Sequence, residues 1–122
     1  MIKRVVVAGC RNYTDYDDAK KYIELCLSEL MNEYEIVIIS GGCRGADMLG
    51  ERFAKERNLK IERYCARWDL YGKNAGPKRN KEMAEKCDYA ICFWDGKSRG
   101  TYSMIKFVKE LNKPMRIKWI KP

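Results

Sequence analysis

Five short runs of apolar and β-branched residues alternate with segments of helical three-four spacing, and few folds accommodate that order. Residues 4–9, Arg-Val-Val-Val-Ala-Gly, suit a strand buried on both faces. A helix capped by Thr14 follows, with Ala19, Tyr22, Ile23, Cys26, Leu27, Leu30 and Met31 on one side and Asp15, Asp17 and Asp18 in a first turn that favours acids. Residues 35–40 form the second buried run. Arg44 or Gly45 then opens a helix with Ala46, Leu49, Gly50, Phe53 and Ala54 facing inward and Asn58 at its end. Residues 60–64 are a short strand of mixed polarity, and residues 65–76 a long loop carrying Trp68, Tyr71 and Lys73. Pro77 fits the first turn of a helix that runs to Cys87 with Met83 and Ala84 inward. Residues 89–94 are nearly all apolar, the last helix presents Met104, Ile105, Val108 and Leu111, and Pro114 stops it before a strand over residues 115–120.

This pattern predicts an α/β protein, a three-layer α/β/α Rossmann-like sandwich on a five-stranded parallel sheet. Strand order follows from polarity. Continuous apolar runs belong in the middle of a parallel sheet, and the two polar strands are the third and the fifth, so the expected order is 3-2-1-4-5. With 122 residues, 46% of them hydrophobic, and no linker-like stretch, the expectation is one domain over residues 1–122. No run approaches a membrane span, and Met1-Ile2-Lys3-Arg4 leads directly into a strand, so a cytoplasmic, membrane-free protein is expected. The six cysteines include no Cys-x-x-Cys pair and there is no histidine, which argues against a metal site and calls for no cofactor. Reduced thiols are expected, with Cys10 and Cys43 the two whose surroundings could lower a thiol pKa. A net charge of +8 favours an anionic partner.

The order 3-2-1-4-5 reverses between strands one and four, and open α/β sheets bind ligands beyond the carboxyl ends of their strands at such a point. Three loops are expected there: Gly9-Cys10-Arg11-Asn12, then Ser40-Gly41-Gly42-Cys43-Arg44-Gly45-Ala46-Asp47, then Asp95-Gly96-Lys97-Ser98-Arg99-Gly100-Thr101. Each combines glycine, which lets backbone N–H groups approach a ligand, with arginine. Phosphate is the natural guest. Gly41, Gly42 and Gly45 equally suit a tight turn that needs glycine for steric reasons. Lys78 and Arg79, and Lys97 before the last helix, place positive charge where a helix dipole is already positive, a cost of a few tenths of a kcal/mol each that an anion would offset. Trp68, Tyr71 and Trp94 are candidate stacking faces for a base, and Asp47 and Asp95 candidate acceptors for ribose hydroxyls.

Taken together, Gly9-Cys10-Arg11, Ser40 to Asp47, Trp68-Asp-Leu-Tyr-Gly-Lys73, Gly76-Pro-Lys-Arg-Asn80 and Phe93-Trp-Asp-Gly-Lys-Ser-Arg-Gly-Thr101 resemble the small stand-alone YspA-type proteins of the SLOG superfamily. That superfamily joins the Smf/DprA DNA-processing proteins with the LOG phosphoribohydrolases on a Rossmann-like fold. The resemblance implies a nucleotide or nucleotide-derived ligand. The LOG motif Pro-Gly-Gly-x-Gly-Thr-x-x-Glu, aligned on Gly100-Thr101, places Met104 at the catalytic glutamate and Lys97-Ser98 at the paired glycines. Ser40 to Asp47 is similar to the Ser-Gly-x-Ala-Arg-Gly-Ile-Asp loop of Smf/DprA.

The reading that unites these features is a binding or sensing domain for a nucleotide derivative of the ADP-ribose or NAD kind. Arg11, Arg44 and Arg99 would hold phosphate oxygens, Gly9, Gly41, Gly42, Gly45 and Gly100 would bring the backbone close, and Ser98 and Thr101 would add hydroxyls. LOG-like phosphoribohydrolysis, with Asp47 or Asp95 replacing the missing glutamate, and single-stranded DNA binding are the alternatives. The oligomeric state is left open, with a homodimer compatible.

Overall fold

Val5, Val6 and Val7 have no exposure to solvent, because their strand is covered on both faces and both edges. A computed structural model describes residues 1–121, and in it β1 (Ile2–Gly9) lies at the centre of the sheet. It is followed by α1 (Tyr16–Leu27), α2 (Leu30–Glu33), β2 (Glu35–Ser40), α3 (Ala46–Glu56) and β3 (Lys60–Arg63). The chain continues through α4 (Trp68–Tyr71), α5 (Ala75–Lys86), β4 (Tyr89–Trp94), α6 (Arg99–Glu110) and β5 (Met115–Trp119). All strand pairs are parallel, in the order β3-β2-β1-β4-β5 expected from strand polarity. The apolar side chains alternate along β1: Val5 and Val7 enter the core shared with α1 and α3, whereas Val6 and Ala8 enter the one shared with α5 and α6.

Four local expectations are corrected. Asp15, not Thr14, caps α1, its Oδ1 accepting the Asp18 N–H at 3.1 Å. The helix ends at Leu27, and Leu30 and Met31 reach the same core from the separate turn α2. Residues 65–76 are not an open loop: α4 and a 3-10 turn, Gly72–Asn74, lead into α5, which begins at Ala75, two residues before Pro77. Leu111 lies past the end of α6 and is exposed rather than inward.

Helix α3 can lie against β1 because residue 50 has no side chain. A Cβ there would come within 2.7 Å of the Val7 Cβ. Gly50→Val should therefore separate helix from strand and cost about 1–3 kcal/mol, the usual range for overpacking. Urea unfolding followed by circular dichroism should show a lower midpoint with an unchanged slope.

Candidate functional site

At the carboxyl end of the sheet, where β1 and β4 are neighbours but their connections run in opposite directions, the chain leaves a cavity of about 470 Å³. Its walls come from four places. Ala8 and Gly9 end β1 and Cys10, Arg11 and Asn12 follow it, and Cys43, Arg44 and Asp47 come from the loop and first turn after β2. Arg79, Asn80 and Met83 come from α5, and Asp95, Lys97, Ser98, Gly100, Thr101 and Met104 from the segment after β4. Arg11, Arg44 and Lys97 carry exposed side chains, so the mouth is cationic.

The loop after β2 spends several of its polar groups on holding its own shape. Ser40 is fully buried; its hydroxyl donates to Glu51 Oε2 at 2.7 Å and accepts the Gly42 N–H at 3.0 Å. Glu51, only 3% exposed, also receives the guanidinium of Arg63 from β3. Burial pulls the Glu51 carboxyl upward, but the hydrogen bonds from Arg63 and Ser40 outweigh it and leave the group below the ordinary range. The Cys43 N–H is taken by Asp47 Oδ2 at 3.1 Å, and the Ala46 N–H by the Cys10 carbonyl at 3.1 Å. Gly45 is needed for that last bond: its φ is 80°, and a Cβ would come within 2.4 Å of the Cys10 oxygen. Ser40, Gly41, Gly42 and Gly45 thus stand behind the cavity wall and hold it rather than line it. The steric account of the glycines fits this loop, while Cys43, Arg44 and Asp47 are its members that reach the cavity.

Asp47 is 5% exposed at the base of the site. Burial pushes its pKa up to about 6, against the opposing pull of the Cys43 N–H and the positive charge of Arg79. Arg79 crosses from α5 and donates from Nη1 to the Gly41 carbonyl at 2.7 Å and from Nε to Asn80 Oδ1 at 2.9 Å. Asn80 in turn donates to the Gly100 carbonyl at 3.3 Å, tying α5 to the start of α6. Neither Asn80 nor Glu51 was among the expected site residues. The signal for Asn80 is its spacing from Met83, Ala84 and Cys87, a polar residue on an otherwise apolar helix stripe.

After β4, Asp95 turns its carboxylate into its own loop, Oδ1 accepting the Lys97 and Ser98 N–H groups at 2.8 Å each. Those bonds hold its pKa below the ordinary carboxylate range. Ser98 caps α6, with Thr101 Oγ1 3.1 Å from its hydroxyl. Gly100 faces open space in the cavity wall.

The remaining expectations separate from the site. Lys78 lies over the Tyr71 ring at 4.5 Å, and Arg99 is exposed; neither lines the cavity, nor do Trp68, Tyr71 and Trp94. Because α5 starts at Ala75, Lys78 falls at its fourth residue instead of at its exposed end. Burial raises the Cys10 thiol pKa, against the expectation of a lowered one, and all six cysteines are free. Among the described residues no cluster of metal-ligating side chains occurs, and no helix is long and apolar enough to cross a membrane.

Comparison with known proteins places this arrangement. The chain is 29% identical to the Gene 61 protein of Mycobacterium phage D29, over 93% of this chain and 94% of that protein. Among solved structures, DNA processing protein A from Streptococcus pneumoniae superimposes with a TM-score of 0.71 at 21% identity, over 96% of this chain and 50% of that one. The protein of the same name from Helicobacter pylori, described for its single-stranded DNA binding mode, gives 0.67 at 21% identity over 94% of this chain and 64% of its own. The structural-genomics target TM1055 gives 0.65 at 20% identity, with 94% and 72% covered. The chain therefore spans about half to two-thirds of the DNA processing proteins whose fold it shares. The model of the YspA, cpYpsA-related SLOG family matches residues 3–71, more than half the chain, and identifies this protein as a member of that family.

Proposed function

We propose that the cavity binds a nucleotide or nucleotide derivative of the ADP-ribose or NAD kind, and that the protein senses or carries it. The observation that supports this most directly is the convergence of Arg11, Arg44, Arg79 and Lys97 on one concave site with the buried acid Asp47 at its base. Cations at the mouth suit phosphate oxygens, and a carboxylate below them suits a ribose hydroxyl. The starts of α3 and α6 add their partial positive charge from two directions.

The test is a thermal-unfolding screen against AMP, ATP, NAD, ADP-ribose, inorganic phosphate and an oligothymidine. A ligand at about a hundred times its dissociation constant adds roughly 2.7 kcal/mol, which moves the midpoint by several degrees. Arg44→Ala, an exposed change with no side-chain hydrogen bond to lose from the fold, should abolish the nucleotide shift and leave the unliganded midpoint within about 3 °C. A folded variant that retains full affinity would refute the site.

A second reading draws on Asp47 alone. A carboxyl with a pKa of about 6 can donate a proton near neutrality, as cleavage of a glycosidic bond to a leaving base requires. Met104, which lines the cavity where the LOG alignment expects glutamate, offers only a thioether, and Asp95 gives one oxygen, Oδ1, to two N–H groups of its own loop. Release of free base from a nucleoside monophosphate, lost in Asp47→Asn, would favour this reading.

A further inference from the structure

Beside the cavity, on the outer side of the loop from Asp95 to Ser98, three aromatic rings form an exposed ledge. Trp94 and Trp119 are the paired last residues of β4 and β5, with ring centroids 5.1 Å apart, and the Tyr102 ring from α6 lies 5.8 Å from that of Trp94. Trp94 is anchored, its Nε1 donating to the Ser98 carbonyl at 3.1 Å. Trp119 and Tyr102 are not covered: they are 65% and 54% exposed. Neither belongs to the cavity.

Charge is arranged around these rings. Arg99, Tyr102 and Lys106 follow three-four spacing and form one stripe of α6, and all three are exposed. Lys97, two residues before Arg99 in the chain, is exposed and lines the cavity. The stripe also gives Arg99, which the cavity does not use, a place beside an aromatic face.

We infer that this ledge is a stacking surface for the unpaired bases of single-stranded nucleic acid, with Arg99, Lys106 and Lys97 along the path of its phosphates. A free nucleotide is a poor match, because small ligands are held in concave sites that bury most of their surface, whereas Trp119 and Tyr102 present an open face. A strand gains from an open face, since successive bases stack and successive phosphates meet separate cations. A duplex has no bases free to stack. The inference does not depend on what the cavity binds.

The experiment is fluorescence anisotropy of a labelled oligothymidine of about 15 nucleotides, a length that fills one domain-sized site, titrated with the full chain. The paired change Tyr102→Ala with Trp119→Ala should weaken binding at least about tenfold, since base–aromatic stacking is lost. Tyr102→Phe with Trp119→Phe should hold affinity within about threefold, because the ring face remains. Arg99→Glu with Lys106→Glu should weaken binding and flatten its salt dependence while the aromatic face stays intact. Unchanged urea midpoints show that each variant is folded. The inference is overturned if the wild-type chain fails to bind the strand, if the alanine pair binds as the wild type does, or if a duplex of equal length competes equally. It is also overturned if sedimentation shows a dimer that the alanine pair dissociates, which would assign the ledge to a second copy.

Discussion

Gly45→Val should cost about 3–5 kcal/mol of folding stability, combining backbone strain with overpacking. The residue is at φ 80° and ψ −131°, a conformation that a β-branched side chain does not reach, and its Cβ would press on the Cys10 carbonyl. That carbonyl already accepts the N–H groups of Ala46 and Tyr13, so moving it disturbs the loops after β1 and β2 at once. Such a loss is a large share of the ~5–15 kcal/mol that holds a typical domain together. Urea unfolding at 25 °C measures it, and a midpoint close to that of the wild type would show that the loop rearranges freely. Gly100→Ala makes the opposite case. A Cβ at that position meets nothing within 4 Å, and alanine in a helix gains about 0.5–1 kcal/mol over glycine. Stability should hold or rise there, while ligand affinity falls because the added methyl group enters the cavity wall.

Asp47→Asn should change how stability depends on pH more than it changes stability at any one acidic pH. The native carboxyl has a pKa of about 6, above the ~3.9 of an unfolded aspartate. Between these values the native state binds the extra proton, so Asp47 favours folding fully below about pH 4, and that contribution is lost as pH rises through 6. The gap corresponds to about 3 kcal/mol. Other acids slope the opposite way: Glu51, Asp69 and Asp95 are all held below their ordinary range and favour folding as pH rises. The quantity to measure is therefore the difference between wild type and Asp47→Asn from pH 4 to pH 7.5. That difference should move by about 3 kcal/mol in favour of the asparagine variant, since the amide carries no buried charge. A flat difference would mean that Arg79 holds the carboxylate ionised throughout.

Both predictions concern residues that the sequence brought forward for another purpose. The strand order was legible because polarity separates the edge runs, Lys60–Arg63 and Met115–Trp119, from the apolar centre. The location of the cavity followed from that order. What each loop residue does there was less legible, because a Gly-Gly-Cys-Arg-Gly run serves a phosphate and a tight turn equally well. Hydrogen bonds among Ser40, Gly42, Cys43, Asp47 and Glu51 show how the turn is held, and these join residues up to eleven positions apart. Arg99 shows the same limit. Its place in a glycine-rich loop suggested a phosphate ligand, but Ser98 caps the helix one residue earlier, and the helix turn then carries Arg99 to the outer stripe with Tyr102. Asp95 lines the cavity as the sequence suggested, but one of its oxygens, Oδ1, is given to two N–H groups of its own loop, which the sequence did not show.

The frame also distributes its tolerance of change in chain length unevenly. Between Ser40 and Asp47 the carbonyls of Ser40 and Gly41 and the N–H of Ala46 meet other elements, while Ser40 and Asp47 hold the N–H groups of Gly42 and Cys43, so an inserted residue would break several bonds together. Between Arg63 and Ala75 the chain runs through exposed single turns, α4 and the 3-10 turn, in which Trp68, Leu70 and Tyr71 have little cover. Insertions there would disturb few contacts, and they would emerge at the same end of the sheet as the cavity mouth. Relatives with this frame can therefore acquire different coverings for the site while the loops that shape its walls keep a fixed length.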